Sequence, residues 1–136
     1  MTSTVTGEND LTTILMTLKP SLDPGEYVFS TVAGLGGIPV GEILLFFREQ
    51  EGITVVVSRP AADRLGLSYT FVAGWITLTV HSSLEAVGLT AAFSKALGDE
   101  GISCNVVAAY YHGHIFVNIA DTGKAMDVLN RLSTGR

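Results

Sequence analysis

The chain has 136 residues, 47% hydrophobic and 15% charged, with a formal net charge of −5. Its eight Lys and Arg are scattered, which excludes a nucleic-acid partner, since phosphate binding needs clustered cations. No apolar run reaches the ~18 residues of a membrane span, residues 1–10 lack a signal-peptide core, and the single cysteine, Cys104, forms no internal disulfide, so a reducing, cytoplasmic location is expected.

After a polar start over residues 1–9, Asn9 or Asp10 can cap a short helix whose Leu11, Ile14, Leu15 and Leu18 form one apolar stripe. Pro20 and an Asp23-Pro24-Gly25 turn should end it. Tyr27–Val32 reads as a strand, and Ala33–Gly41, rich in glycine, as a loop. Ile43–Arg48 reads as a strand buried on both faces, paired through a charged turn, Glu49–Gly52, with Ile53–Ser58. Pro60 suits the first turn of a short helix, Ala61–Leu65, which Gly66 stops. Ser68–Val72 is strand-like, and Ala73-Gly74 is expected to bend the chain into a second half. The halves are therefore set at residues 1–68 and 69–136.

In the second half, Ile76, Leu78 and Val80 share one strand face, opposite Thr77 and Thr79. A helix is predicted from about Leu84 to Gly98. Its broad stripe, Leu89, Phe93, Ala96 and Leu97, should face a sheet. A narrower stripe of smaller residues, Leu84, Val87 and Ala91 beside Gly88, should meet another helix. Gly101 suits a helix C′ position with Ile102 closing over it. Cys104–Tyr111 and His114–Ile119 form a hairpin around His112-Gly113, with Ile115, Val117 and Ile119 on one face. Asp121 or Thr122 caps a last helix that buries Ala125, Val128, Leu129 and Leu132. A chain of this size leaves ~30% of its unfolded-state surface exposed, so some of its apolar area should meet a partner subunit.

Gly88-Leu-Thr-Ala-Ala-Phe-Ser-Lys-Ala-Leu97, then Gly101-Ile-Ser-Cys-Asn105, Ile115-Phe-Val117 and a closing helix, resembles the ACT domain of the aspartokinase type. The longer string His81-Ser-Ser-Leu-Glu-Ala-Val-Gly-Leu-Thr-Ala-Ala92 resembles small stand-alone proteins with two ACT-like halves. Leu18-Lys-Pro20, Tyr27-Val-Phe29 and Phe47-Arg-Glu-Gln-Glu-Gly52 resemble the first half of small stand-alone proteins with two ACT-like halves. The resemblance implies an α+β fold of two ferredoxin-like (βαββαβ) halves, a tandem repeat whose antiparallel sheets are covered by helices. It also implies a regulatory, ligand-sensing role, with a free amino acid or similar small carboxylate held at an interface between ACT-like units, and a homodimer. Many metabolic members carry Asp, then Pro-Gly, in the strand-to-helix turn. This chain has His81, Ser82 and Ser83 there, so the contact made by that Asp does not carry over.

The residues themselves single out the turn before the second-half helix. A helix start presents N–H groups and a partial positive charge that suit a carboxylate without Lys or Arg. The backbone of Leu84, Val87, Gly88 and Leu89 would meet the carboxylate, with Ser82 and Ser83 adding hydroxyls. A pure capping role for either serine is the competing reading. Glu85 can take an amino group or serve as a first-turn acid. Asn105, with Val106, can contact the amino end of a ligand or satisfy a turn.

No catalytic residue, cofactor or metal is expected. His112 and His114 flank a turn glycine without a third ligand nearby. Gly-x-Ser-x-Gly is absent, and Gly34-Leu-Gly-Gly-Ile-Pro39 departs from both phosphate-binding glycine motifs. Trp75, Tyr110, Tyr111 and Phe116 read as core or interface packing. The leading expectation is an amino-acid-binding regulatory module rather than an enzyme. The runner-up is an interaction and oligomerisation module with a vestigial pocket.

Overall fold

A computed structural model describes residues 11–80 and 88–134, apart from the side chains of residues 12 and 14. The chain forms two compact units, one made of Met1–Asp23 with Trp75–Arg136 and one made of Pro24–Gly74. We call them the discontinuous and the continuous unit. Two strands, β1 (Lys19–Val32) and β4 (Val72–Thr79), contribute residues to both.

The continuous unit has strand order β2-β3-β1, where β2 is Ile43–Arg48 and β3 is Ile53–Ser58. Both pairings are antiparallel, with Val28 opposite Val57 and Phe47 opposite Thr54. The expected hairpin is present, closed by the Glu49 N–H on the Gly52 carbonyl at 2.9 Å. Helix α2 (Arg59–Leu65) comes directly after it, as read from Pro60 and Gly66. The Ser58 hydroxyl accepts from the Ala61 N–H at 3.2 Å, which satisfies one of the unpaired donors of the first turn. Val28, Val57, Ala61 and Ala62 form its buried cluster.

The discontinuous unit holds α1 (Leu11–Met16), the start of β1, then β4 from Trp75. It continues with α3 (Leu89–Asp99), β5 (Asn105–Ala108), β6 (Gly113–Asn118) and α4 (Thr122–Thr134). Its strands run β1-β4-β6-β5. Alternation along β4 and β6 sends Ile76, Leu78, Ile115 and Val117 to one face. They pack there with Phe93 and Leu97 of α3 and Ala125, Val128 and Leu129 of α4, the stripes read from the sequence. Leu18 joins this core, just beyond α1.

Helix α3 stops at Gly101, which takes a left-handed φ of 75°. The Gly101 N–H reaches the Gly98 carbonyl at 2.9 Å, and the Ile102 N–H reaches that of Leu97 at 3.0 Å. This pair of bonds is the Schellman arrangement, and the buried Ile102 and Leu97 side chains close it. Helix α2 ends in the same way. Gly66 N–H bonds to the Asp63 carbonyl at 3.3 Å and Leu67 N–H to that of Ala62 at 2.9 Å.

Several expectations need correction. The Asp23-Pro24-Gly25 turn is absent, and β1 runs through it. Gly25 absorbs a local kink with φ 98°. The Asp23 carboxylate accepts from the Thr77 hydroxyl at 2.7 Å rather than closing a turn. The Ala73-Gly74 bend is also absent. Both residues are buried inside continuous β4, where their small size suits close packing, and residues 68–71 are not strand.

Strand β2 is not buried on both faces. It pairs only with β3 among the described strands, and Phe47 is 68% exposed. The hairpin β5–β6 turns two residues earlier than expected. Ala109 N–H bonds to the His112 carbonyl at 3.0 Å, so Tyr110 and Tyr111 sit in the turn rather than in the strand. Ahead of α4, Asn118 rather than Asp121 or Thr122 supplies the side-chain cap. Its Oδ1 accepts from the Ala120 N–H at 2.9 Å in a short 3-10 turn, Ile119–Asp121. The Thr122 hydroxyl donates to the Ile119 carbonyl instead.

Candidate functional site

Ser82, Ser83, Leu84, Glu85 and Val87 lie outside the described residues, as do the capping positions Asn9 and Asp10. The described part of the expected site begins at Gly88, the residue before α3. Gly88 has φ 93°, which disfavours any side chain, and offers no side-chain cap. A Cβ there would stand 3.4 Å from Leu11 Cδ2, so α1 approaches the start of α3 closely. The first intrahelical bond is Ala92 N–H to the Gly88 carbonyl at 2.9 Å.

Beside this helix start lies a cavity of about 110 Å³. Leu89, Thr90 and Phe93 of α3 form one wall, and Leu78 and Val80 of the β4 segment another, with Leu18 just beyond α1. Val106 and Ala108 of β5 line it too, as does the hairpin turn up to Gly113. Of the expected site residues, the fold thus brings Leu89 and Val106 to one cavity.

Asn105 is not brought there. Neighbouring strand residues point to opposite faces. Val106 stands opposite Ile115, a residue of the core that α3 and α4 cover, whereas Asn105 stands opposite Phe116. The Asn105 amide donates to the Phe116 carbonyl at 3.2 Å.

That opposite sheet face carries a polar cluster. The Trp75 indole N–H donates to His114 Nδ1 at 3.0 Å, and the Trp75 ring stacks on Phe116 with centroids 6.4 Å apart. Thr77 Oγ1 lies 3.3 Å from His114 Nδ1 while it donates to Asp23. Partial burial lowers the pKa of His114, nearby His112 lowers it further, and Asp23 opposes both. Burial also raises the pKa of the Cys104 thiol, against a hydrogen bond with Ser94. Among the described residues, no group of three or more His, Cys, Asp or Glu is placed to hold a metal ion.

Sequence reasoning missed the part played by the hairpin turn. By residue type Tyr110 and Tyr111 read as core or interface packing, yet they are 81% and 82% exposed and border the cavity mouth together with His112. Both are strand-forming residues next to a strand, so their type hides the turn. Phe116 and Trp75 are packed as expected. The cavity's Leu78 is legible from the alternation along β4.

Two ACT-domain family models match the sequence, one over residues 6–74 and the other over residues 70–131. The chain belongs to the ACT domain family. ACT domains are typically small-molecule regulatory modules, with amino acids as common ligands. The structure is similar to that of a Vibrio cholerae protein of unknown function described as a possible transport protein. That protein is 43% identical, with a TM-score of 0.82, over 90% of this chain and 95% of that one. It is also similar to a structure of aspartokinase alpha and beta subunits, at 12% identity and a TM-score of 0.62 over 85% and 97% of the two chains. The allosteric aspartate kinase of Clostridium acetobutylicum is matched at 9% identity and a TM-score of 0.59, over 88% of this chain but 34% of the kinase. These last two share the ACT-like, ferredoxin-type α+β fold. No curated protein matches the sequence. Among the described residues no helix is long and apolar enough to cross a membrane.

Proposed function

We propose that the chain is a cytoplasmic amino-acid-binding regulatory module of two ACT-like halves, 1–68 and 69–136. The family models, ending at 74 and starting at 70, support that division. One observation carries the reading: the start of α3 and the middle of β5 border the same cavity. The ligand carboxylate meets the helix start, where N–H groups and the partial positive charge of the helix dipole converge. Ser82, Ser83, Leu84, Val87 and Gly88 are assigned to this end from the sequence, and Glu85 to the ligand's amino group. Leu89 and Val106 hold the body of the ligand. Asn105 would contact its amino end from a neighbouring ACT-like unit, in keeping with a ligand held at an interface between units. Binding there favours one arrangement of the copies and so reports ligand level to a partner.

The test is a thermal-shift panel of free amino acids. A ligand at ~100 times its Kd adds about 2.7 kcal/mol, a rise of roughly 10 °C for a chain of this size. The homodimer has its own test. Ala91 is exposed on α3, and Ala91→Glu should convert a dimer to a monomer by light scattering. An unchanged mass removes α3 from the interface.

The runner-up is an interaction module with a vestigial pocket. The exposed aromatics Phe47, Tyr110 and Tyr111 favour it. It predicts self-association with no thermal response to any amino acid.

A further inference from the structure

On the sheet face opposite the α3–α4 core, one imidazole nitrogen has two neighbours that suit opposite protonation states. We infer that His114 is a proton-operated switch, which holds the Trp75 indole when neutral and exchanges it for the Thr77 hydroxyl when protonated. The argument starts from where hydrogens can sit. An indole nitrogen only donates. Trp75 Nε1 lies 3.0 Å from His114 Nδ1, so Nδ1 is bare and Nε2 carries the one hydrogen of the neutral ring. Thr77 Oγ1 lies 3.3 Å from the same Nδ1. Its hydrogen goes to the Asp23 carboxylate at 2.7 Å, which leaves its lone pairs to receive a donor. The neutral ring offers none on that side.

A proton taken from solvent at Nδ1 inverts both contacts. Two N–H groups then meet where Trp75 and His114 were bonded, and that contact turns repulsive. Towards Thr77 the new N–H finds an oxygen acceptor backed by a carboxylate, and hydrogen bonds from a charged donor are the stronger kind. Both partners come from β4 two residues apart, hence from one face. A tilt of the ring therefore makes the exchange, while His114 stays in β6 opposite Val107 of β5. Among the described residues, the charged or titratable groups that face His114 are His112 of the hairpin turn and Asp23 of β1. Partial burial and His112 oppose the protonated ring, and Asp23 favours it.

Trp75 is the one tryptophan of the chain, so its fluorescence reads the contact directly. The full chain is titrated between about pH 8 and pH 5, the range of an imidazole, with circular dichroism confirming the fold at each step. The His114 ring is followed in parallel by the NMR signal of its C2 proton, assigned by its loss in His114→Gln. Emission should change in one step that coincides with the ring titration, with a midpoint below 6.5, and should stay flat in His114→Gln. The two partners should move that midpoint in opposite directions. Trp75→Phe, followed by NMR, removes the partner of the neutral ring and should raise it. Thr77→Val and Asp23→Asn remove the acceptor of the charged ring and the carboxylate behind it. Each should lower the midpoint by about half a pH unit or more, and Thr77→Ser should restore it. His112→Gln should raise it. A ring titration with no change in Trp75 emission overturns the exchange. So does a midpoint that Thr77→Val leaves in place or raises.

Discussion

The two units share one plan and differ at one step. Each has a first strand, a crossover, an antiparallel hairpin, and a helix entered through a polar cap. In the hairpins, Val55, Val56 and Val57 are buried at the places held by Ile115, Phe116 and Val117. Ser58 and Asn118 then cap the helical segments behind those strands. The crossover is where they part. In the discontinuous unit it includes α3, an amphipathic helix that lays Phe93 and Leu97 on the sheet. In the continuous unit the described crossover is the glycine-rich loop 33–42, whose regular structure is one 3-10 turn, Val40–Glu42. Four glycines between residues 34 and 41 make a helix there costly, and they leave few side chains to bury. The cavity at α3 is therefore a consequence of the crossover rather than of the shared plan.

The largest expected effect tests whether the cores are as unequal as they look. Leu97 is fully buried between α3 and the sheet, and Leu97→Ala should cost about 2–5 kcal/mol. Val57 is equally buried but belongs to a much smaller cluster that can close around the loss. Val57→Ala should cost roughly 1–3 kcal/mol. Urea unfolding of both variants measures the difference. Equal losses would mean that α3 contributes no more than α2 does, and the contrast between the units would fail.

Helix ends come next, and here the units should behave alike. Gly66 and Gly101 both have positive φ, and a Cβ at either would meet no atom within 4 Å. The cost of Gly66→Ala or Gly101→Ala is then purely that of the left-handed backbone, about 1–2 kcal/mol each. A clear inequality in urea midpoints would show that one Schellman end depends on its surroundings and the other does not.

Such glycines explain why the element order is legible in the sequence. A glycine just after an apolar helical stripe marks the helix end where a positive φ is needed, and Gly66 and Gly101 do so. The stripes of α3 and α4 are legible because a helix with one buried face repeats its apolar residues at fixed intervals. Proline and glycine signals inside strands mislead instead. Asp23-Pro24-Gly25 has the composition of a turn, yet strand β1 tolerates it. Gly25 takes up the kink, and Thr77, distant in sequence, engages the Asp23 carboxylate. Within the candidate site, Leu89 and Val106 are found by their neighbourhood to a helix start and a strand entry. Asn105 goes with Val106 by sequence adjacency, which the alternation of a strand undoes. The contribution of Tyr110, Tyr111 and His112 depends on where a hairpin turns, which the strand-forming character of the tyrosines conceals.

The caps are the next smaller test of the shared plan. Ser58 accepts from Ala61 N–H at the start of α2, and Asn118 accepts from Ala120 N–H before α4. Ser58→Ala and Asn118→Ala should each cost about 1 kcal/mol. Asn118→Asp, which keeps the acceptor, should restore most of the loss in thermal melts. Failure of that rescue would show that Asn118 acts through something other than its cap.

The smallest effect separates the units by pH. Counting back from the caps, His114 of β6 corresponds to Thr54 of β3. Thr54 donates to Glu49 at 2.5 Å and does not titrate, whereas His114 accepts from Trp75 and is held below its ordinary value of 6.5. Burial is the main cause, His112 adds to it, and Asp23 acts in the opposite sense. Below pH 6.5 the unfolded chain then binds more protons at this site than the folded one. The contribution of His114 to stability is therefore complete above that pH. It declines as pH falls through the window between 6.5 and the lowered native value. Protonation would also cost the Trp75 bond, because Nδ1 could no longer accept. Urea midpoints taken across this range should fall more steeply with acid in the native chain than in His114→Gln. The matching substitution in the other unit, Thr54→Gln, should leave the slope unchanged. If His114→Gln retains the full slope, the pH response lies outside the Asp23–Thr77–His114–Trp75 cluster, and the polar face of β6 does not distinguish the two units.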